Sequence, residues 1–362
     1  MNLTNNMKKL TICFSGLGIA TVALLSCDNG LAPVREDALT PVVVTQPLPH
    51  DTDDPAIWIH PTDSSKSIII GTDKDSDGGV YAYDLAGNIV NQVTGLQRPN
   101  NVDVAYGLRL GDTLVDIAVL TEREAGKIRI FSLPDLNAID GGGIPVFEGE
   151  AGEDETAPMG IALYTRPTDS AIFAIVGRKF GPTEGYLWQY RLHGSSGTVQ
   201  GSVVRKFGTF SGQKEIEAIA VDNELGYVYC SDEGVGVRKY AADPDLGIDE
   251  ELALFAQGDM ADDHEGIAIY KSNDSTGYLL VSNQQANTFV VYAREGTNGD
   301  PHRHELLAEV PVSTIECDGA DVTAVNLGGS FPDGLFVAMS NGMTFHYYDW
   351  RDLQQWIDQG KK

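Results

Sequence analysis

The sequence predicts an all-β protein, a six-bladed β-propeller with four-stranded blades around a central channel. The first observation is an internal repeat, because six segments with the same polar residue and alternating apolar run begin 48 to 58 residues apart. The second is that each unit continues with short apolar runs separated by turn residues, as strands in a hairpin sheet require. The third is the glycine content, 40 of 362 residues, dispersed among these runs. A β-sandwich or barrel of irregular hairpins is the alternative, but neither accounts for the repeat.

The six units together fill the chain that follows the N-terminal segment. They begin at Asp54, Asp103, Met159, Glu217, Glu265 and Asp321. In the fifth unit, three apolar runs at 267–270, 277–282 and 288–292 alternate with turn residues. Runs such as 203–207 and 306–310 supply a fourth strand to a unit. Four strands per unit and six units describe a propeller, and only the tail at 350–359 has a helical pattern.

The N-terminal segment has the features of an export signal. Lys8 and Lys9 precede an apolar run at 10–25, which is short for a membrane-spanning helix, and Ser26-Cys27 ends it. This order resembles a bacterial lipobox. We therefore expect a lipoprotein signal peptide over 1–26, lipidation at Cys27, a flexible tether over 27–40 and the propeller over 41–362. An ordinary signal peptide with an incidental cysteine is the alternative.

This interpretation predicts an exported protein that a lipid anchor alone holds on a bacterial membrane, at the outer membrane or the cell surface. The chain carries 25 Lys+Arg against 52 Asp+Glu, a net charge of −27. Such a chain lacks the basic face that nucleic-acid binding needs, and it either binds cations or stays soluble by repulsion. Of the four cysteines of the chain, only Cys230 and Cys317 lie outside the signal segment and its end. Export permits a disulfide between them, and two buried thiols are the alternative.

Equivalent residues of the six units form rings in a propeller, because the first strand of each blade lies nearest the channel. The residues that begin the units are acidic in five of six cases, and Met159 is the exception. Crowded carboxylates repel one another unless they are protonated or bound to cations. Oxygen ligands at variable spacing favour Ca²⁺ among common metals, so several calcium ions are predicted here. The alternative is that some of these acids cap strand ends.

A second equivalent position follows the second apolar run of each unit. Units one to three place Lys74, Arg123 and Lys179 there, and unit four places Glu233 there. Units five and six have uncharged residues at this position. The pattern predicts an anion site that faces metal ions, as phosphate chemistry requires. The alternative is that the three cations are ion-pair partners of the acidic ring.

Several phosphatase and hydrolase mechanisms lack their residues in this sequence. The chain has no Arg-His-Gly-x-Arg segment, no Cys-x5-Arg loop, no Gly-x-Ser-x-Gly elbow and no Gly-x4-Gly-Lys loop. Its seven histidines show no zinc-binding spacing. The chemistry that remains is water activated by a metal, with cationic side chains holding the phosphate.

Two motifs, DTDDPAIW at 51–58 and NNVDV at 100–104, resemble the signatures of the β-propeller phytases, the alkaline calcium-dependent 3-phytase family. Segments 185–190, 263–266 and 331–336 resemble later family segments in the same order. The resemblance implies a calcium-dependent phosphomonoesterase that hydrolyses phytate, myo-inositol hexakisphosphate, to lower inositol phosphates by metal-activated water. Because phytate itself binds Ca²⁺, we expect inositol phosphates to enter as calcium complexes, and we expect a monomer.

The resemblance implies roles for residues that the repeat also singles out. Substrate phosphates would be bound by Lys74, Arg123 and Lys179. These three residues, together with Glu217 and Glu233, form the predicted catalytic set. The predicted metal ligands are Asp53, Asp54, Asp103, Glu217, Glu233, Asp263, Glu265 and Asp318.

The sequence also departs from the family pattern. Ala105 stands where an arginine is usual, Met159 replaces a tyrosine near the substrate, and Phe180 replaces an acid. The late Gln-Asp-Gly segment is Ser-Asn-Gly at 340–342. Two other functions stay open: a non-catalytic, surface-anchored binding module, and a lactonase-like metal-dependent propeller hydrolase. Phosphate release from phytate, with and without Ca²⁺, tests the phytase function, and lactone turnover without phosphate release would indicate the lactonase-like one.

Overall fold

Twenty-five strands and one α-helix make up the part of the chain that the computed structural model describes, residues 31–261 and 263–361. Residues Ala32–Lys362 belong to one unit. The signal peptide predicted over 1–26 and the lipidation site predicted at Cys27 lie outside the described residues. No helix among the described residues is both long enough and apolar enough to span a membrane.

The strands form six antiparallel sheets, and the first strands of successive sheets contact one another until the last meets the first. This arrangement confirms the predicted six-bladed β-propeller. Blade 1 contains β2 (Thr52–Trp58), β3 (Ile68–Asp73), β4 (Gly78–Tyr83) and β5 (Ile89–Leu96). Blade 2 contains β6 (Pro99–Leu110), β7 (Thr113–Glu122), β8 (Lys127–Leu133) and β10 (Ile144–Pro145), and β9 (Asn137–Ala138) also pairs with β8. Blade 3 contains β11 (Pro158–Thr165), β12 (Ile172–Arg178), β13 (Glu184–Ser195) and β14 (Thr198–Thr209).

The other three blades follow the same order. Blade 4 contains β15 (Ile219–Asp222), β16 (Tyr227–Asp232), β17 (Gly236–Ala241) and β18 (Ala253–Phe255). Blade 5 contains β19 (His264–Lys271), β20 (Gly277–Asn283), β21 (Thr288–Ala293) and β22 (Leu306–Pro311). Blade 6 contains β23 (Ala320–Thr323), β24 (Leu335–Ser340) and β25 (Thr344–Asp349), and the helix α1 (Trp350–Asp358) comes after it.

The N-terminal strand β1 (Val43–Val44) is the fourth strand of blade 6, so the two ends of the propeller are joined within one sheet. Val43 pairs with Tyr347. The segment before β1 also lies on the propeller, because Leu39 bridges Val312 and the side-chain amide of Asn287 donates to Ala32 O at 2.9 Å. Part of the segment predicted as a tether over 27–40 therefore contacts blade 5, at Ala32 and at Leu39.

Apolar side chains fill the spaces between neighbouring blades. The cluster between blades 1 and 2 includes Ile70 and Leu120, and the cluster between blades 2 and 3 includes Val119 and Trp188. Because the middle strands are covered on both faces, their sequences are nearly continuous apolar runs rather than alternating ones. Cys230 and Cys317 are both buried free thiols, so no disulfide joins them.

The strand register corrects the predicted ring of five acids. The register is compared at the residue of each second strand that lies three positions before Lys74, Arg123, Lys179, Glu233 or Gln284. In blades 1 to 5 this residue pairs with Pro55, Val102, Ile161, Ile219 and Ile267 of the first strand. In blade 6, Met339 N donates to Gly319 O at 2.9 Å, which places Gly319 at the same level. Two residues earlier on each first strand, the true ring position holds Asp53, Asn100, Met159, Glu217, Glu265 and Cys317.

Asp54, Asp103 and Asp321 therefore do not share a ring with Glu217 and Glu265. Asp54 is one residue past the ring position, and Asp103 and Asp321 lie further along their strands. In blades 1, 2, 3 and 5 the register shifts between the ring position and the regular part of the first strand, and the apolar pattern of the sequence does not reveal where such a shift falls. Alignment of the six repeats by sequence alone therefore predicts the wrong level of the channel for these acids.

Candidate functional site

Charged side chains gather at one end of the channel, where the second strand of each blade ends and the first begins. An antiparallel pair brings these two points together. Lys74 and Glu233 directly follow β3 and β16, while Glu217 and Asp318 lie two residues before β15 and β23. Asp263 directly precedes β19. The repeat thus delivers residues that are distant in sequence to the same end of the propeller.

Lys74 forms a buried ion pair with two of the predicted metal ligands. Its Nζ lies 2.5 Å from Asp53 Oδ1 and 2.9 Å from Asp318 Oδ2. Burial acts to lower the pKa of Lys74, but Asp53, Glu217 and Asp318 outweigh it, so the pKa rises well above its usual value. Burial raises the pKa of Asp318 to about 6, even though the ammonium of Lys74 opposes that rise. Lys74 is therefore a fixed positive charge within an acidic centre.

Asn100 connects two of these acids, although the sequence analysis assigns it no role. Its Nδ2 donates to Glu217 Oε1 at 2.8 Å and to Asp53 Oδ2 at 3.3 Å. The side chain of Asn100 is completely buried. The neutral amide therefore lies between two acids from different blades.

Two groups of three carboxylates lie beside this pair and share one member. The ligand atoms of Glu215, Glu217 and Glu233 are within 4.8 Å of one another, and so are those of Glu233, Asp263 and Glu265. Burial, together with neighbouring acids, raises the pKa of Glu217 to about 8 and of Glu233 to about 9. The pKa of Glu265 also rises well above its usual value, for the same reasons. Without a cation, such groups bind protons rather than remain ionised together.

The carboxylate groups fit a metal ion. Glu233 Oε1 and Glu265 Oε2 are buried and have no hydrogen-bond partner among the residues that the structure describes. Unpaired buried carboxylate oxygens are rare in proteins unless an ion or a water binds them. The donors are all oxygen atoms, which suits a hard divalent cation such as calcium.

Other side chains at this end pair with the acids. Lys179 Nζ lies 3.2 Å from Glu215 Oε2, and Lys214 forms an ion pair with Asp263. The side-chain amides of Gln284 and Gln285 donate to Asp318 Oδ1 at 2.5 Å and to Asp263 Oδ2 at 2.7 Å. Glu215, Lys214 and the two glutamines are absent from the sequence prediction. Glu215 could have been found, because alternate residues of an extended segment share a face and it precedes Glu217 by two.

Arg123 is half-buried after β7, and its N–H donates to Arg98 O at 3.0 Å. Among the described residues it forms no ion pair with the acids of this site. The three predicted phosphate ligands are therefore in different states: Lys74 and Lys179 are paired with carboxylates, whereas the Arg123 guanidinium is not.

Asp54 and Asp103 lie deeper in the channel and outside both carboxylate groups. Asp54 Oδ2 accepts a hydrogen bond from Val102 N at 3.0 Å, and Asp103 Oδ2 accepts one from Leu163 N at 2.7 Å. Each acid thus ties its first strand to the first strand of the next blade. Burial raises the pKa of Asp103 to about 7. Both acids line a cavity of about 560 Å³ inside the channel.

The positions that depart from the family pattern also have definite surroundings. Met159 is buried at the ring position of blade 3, and its carbonyl accepts a hydrogen bond from Thr121 Oγ1 at 2.7 Å. Phe180 is 46% exposed, with its ring edge-on to Phe210 at 5.6 Å. Asn341 Nδ2 donates to Glu316 Oε2 at 2.9 Å.

The fold and the site together define a class of protein: a six-bladed β-propeller with a carboxylate-rich centre flanked by lysines at one end of its channel. The Phytase family model matches residues 9–345. A curated 3-phytase from Bacillus subtilis (strain 168) is 32% identical over 324 residues, which cover 85% of this chain and 81% of that protein. The chain belongs to the phytase family.

Two solved structures are also similar in fold. One is described as BBS1N in complex with ARL6DN, soaked with lead; it has a TM-score of 0.45 and 12% identity, and the match covers 81% of this chain and 77% of that one. The other is the Cps50 (Swd1) β-propeller domain of Myceliophteria thermophila, with a TM-score of 0.48, 10% identity, and coverage of 82% and 83%. At this distance neither structure bears on the function.

Proposed function

We propose that this protein is a calcium-dependent phytase that removes phosphate from phytate and releases lower inositol phosphates. Membership of the phytase family and the similarity to a 3-phytase support the reaction and the substrate. The observation that carries the proposal is the pair of carboxylate groups that share Glu233, with Lys74 and Lys179 beside them. This arrangement offers oxygen ligands for a cation and ammonium groups for a phosphate in one place.

Calcium is the metal that this donor set favours. Glu215, Glu217, Glu233, Asp263 and Glu265 would hold it, and their oxygens suit a cation that accepts many oxygen ligands in flexible geometry. When bound, calcium would neutralise charge on phosphate oxygens and would make water more acidic, which is the chemistry that hydrolysis of a phosphomonoester needs. We propose that more than one ion binds, because the two carboxylate groups contain five acids in all.

The lysines and the arginine have a separate task, which is to bind the phosphate groups of the substrate. In the structure Lys74 and Lys179 are paired with acids. Once those acids face a cation, the ammonium groups are available to the oxygens of a phosphate. Arg123 presents a guanidinium fork, which suits bidentate contact with a phosphate. Because phytate itself is a polyanion, its calcium complex is the proposed substrate.

The test is phosphate release from phytate by the purified protein in millimolar Ca²⁺ and in EGTA, with a lactone as a second substrate. We expect release from phytate only with calcium, and no lactone turnover. Binding of phytate without any phosphate release would support the binding-module alternative. Lactone turnover without phosphate release would support the lactonase-like alternative.

We further propose that the chain is exported and anchored by a lipid at Cys27. The order of charged residues, apolar run and cysteine supports this. Labelling of cells with a fatty-acid probe should mark the wild-type chain and not the Cys27→Ala variant. An unlabelled wild-type chain would overturn the anchor and leave the ordinary signal peptide. We also propose that the protein acts as a monomer, which size-exclusion chromatography with light scattering can check.

A further inference from the structure

Asn100 joins opposite sides of the propeller through hydrogen bonds. Asp53 belongs to blade 1 and Glu217 to blade 4, and these blades face each other across a ring of six. Asn100 comes from blade 2 and donates from Nδ2 to both carboxylates, at 3.3 Å and 2.8 Å. One buried amide group therefore connects Asp53, which pairs with Lys74, to Glu217, which belongs to the carboxylate group of Glu215, Glu217 and Glu233.

The chemistry of the amide suits this position. An NH₂ group has two hydrogens, so it can donate to two acceptors at once, and it adds no net charge. A cationic side chain there would compete with a metal ion for the same carboxylates. A third acid would repel both of them. An apolar side chain would leave two buried carboxylate oxygens without a partner, which is unfavourable.

The orientation of the amide is determined by its surroundings. If the group were rotated by 180°, its oxygen would face two carboxylate oxygens, so the assignment of Nδ2 follows from the network. At the same position in the other blades stand Asp53, Met159, Glu217, Glu265 and Cys317, so Asn100 is the only amide in this ring. Its side chain is 0% exposed, which leaves it no freedom to turn away.

We propose that Asn100 is a positioning residue that holds Glu217 in the orientation in which its carboxylate is shared with Glu215 and Glu233. Asn100 acts through Glu217 and is not itself a group that reacts. The inference rests on the proposed function, since the orientation matters because Glu217 would face a cation. Groups that orient metal ligands in this way affect affinity or activity by about 10- to 100-fold when they are removed.

The test is a double-mutant cycle in the full chain, with Asn100→Leu and Glu217→Gln made singly and together. Leucine has the same branching and the same number of side-chain heavy atoms as asparagine, and it lacks the amide donors. The matched control is Asn101→Leu, because Asn101 is the next residue, is also buried, and forms no hydrogen bond with these acids among the described residues. Two quantities are measured: the calcium concentration at the midpoint of the rise in Tm, and kcat and KM for phytate.

Asn100→Leu should raise the calcium midpoint about tenfold and lower kcat by at least as much. KM for phytate should change by less than about threefold, because the lysines that bind phosphate are untouched. In the Glu217→Gln background, the same substitution should change the calcium midpoint less than about twofold, since residues that act through each other are not additive. Asn101→Leu should leave the midpoint and kcat near the wild-type values.

Additive effects in the cycle would overturn the proposal, because Asn100 would then act independently of Glu217. Equal losses in Asn100→Leu and Asn101→Leu would also overturn it, as a general packing effect would explain both. If Asn100→Leu does not fold, Asn100→Ser takes its place in the cycle. Additive effects, or losses equal to those of Asn101→Leu, would then overturn the proposal in the same way. Failure of the proposed function looks different, because the wild-type protein would then release no phosphate from phytate at any calcium concentration.

Discussion

Buried acids occur in two regions of this protein, and they are compensated differently. Within the blades, Asp222 receives two hydrogen bonds from Arg294, at 2.6 and 2.7 Å, and both side chains are completely buried. Asp232 Oδ2 pairs with Arg238 at 2.7 Å, and its Oδ1 accepts a hydrogen bond from Ser211 Oγ at 2.7 Å. At the channel end, Glu233 and Glu265 are also buried, yet each has an oxygen without a partner among the described residues.

The difference shows which acids maintain the fold and which are available for another task. A buried carboxylate that accepts two bonds from an arginine is neutralised within the protein. The channel-end acids outnumber the three lysines that pair with them, Lys74, Lys179 and Lys214. Burial and neighbouring acids therefore raise the pKa values of Glu217 and Glu233. We infer that the protein leaves these acids to be neutralised by a cation from solution.

The largest expected effect comes from removal of the cation. In EGTA, phytate hydrolysis should fall by about 10³-fold or more, since a metal contributes several kcal/mol to stabilisation of the transition state. Thermal stability should fall too, because calcium at a hundredfold excess over Kd adds about 2.7 kcal/mol. Phosphate release and Tm are measured across a calcium titration. Unchanged turnover in EGTA would rule out the catalytic ion, and unchanged Tm would rule out the structural one.

The next effect separates the two regions by stability. Asp222→Asn should cost about 3 kcal/mol or more with or without calcium, because it leaves the buried guanidinium of Arg294 short of its partner. Glu265→Gln should lose no stability in EGTA, because it removes a buried carboxylate, but it should lose part of the stabilisation by calcium. Denaturant unfolding in both conditions checks this. If both variants behaved alike, the distinction between the two regions would be wrong.

A smaller effect is expected from the cations that would bind phosphate. Lys179→Ala and Arg123→Ala should each lower kcat/KM for phytate about 100-fold, as loss of one donor to an oxyanion does. The calcium midpoint for Tm should hardly change, since neither residue is a metal ligand in this account. If Arg123→Ala kept its turnover but shifted the calcium midpoint, the three cations would be ion-pair partners of the acids instead.

The smallest effect is a pH dependence of stability in the absence of calcium. The folded pKa values of Glu217 and Glu233, about 8 and about 9, lie above their ordinary value of 4.5. Groups with raised folded pKa values contribute stability below the unfolded pKa, and this contribution is lost as pH rises through the folded values. In EGTA, Tm should therefore decline between about pH 5 and 9. With saturating calcium the decline should be smaller, and a Tm profile that calcium leaves unchanged would contradict this.

Much of the fold could be predicted from the sequence, because the repeat of apolar runs is a local pattern. The strands at 203–207 and 306–310, for example, lie within β14 and β22. The level of each acid in the channel could not be predicted, since it depends on a strand register that apolar alternation does not determine. Asp103 and Asp321 were misplaced for this reason.

The charged residues of the candidate site could be predicted from the repeat, but the contacts between blades could not. Lys74, Lys179, Glu217 and Glu233 carry charges at repeat positions, so the repeat alone singles them out. Asn100 of blade 2 contacts Asp53 of blade 1 and Glu217 of blade 4, so it links acids from two opposite blades. No sequence pattern within one unit reports such a contact, and a neutral amide does not stand out among charged residues.

Calcium binding to the channel-end acids can be measured by isothermal titration calorimetry. Calcium is titrated into EGTA-stripped wild-type protein, Glu233→Gln and the control Glu251→Gln, whose acid pairs with Arg238 at 2.5 Å in the same blade. Because Glu233 belongs to both carboxylate groups, Glu233→Gln should weaken calcium binding by about tenfold or more. Glu251→Gln should bind calcium as the wild type does. Wild-type calcium binding in Glu233→Gln would contradict the account.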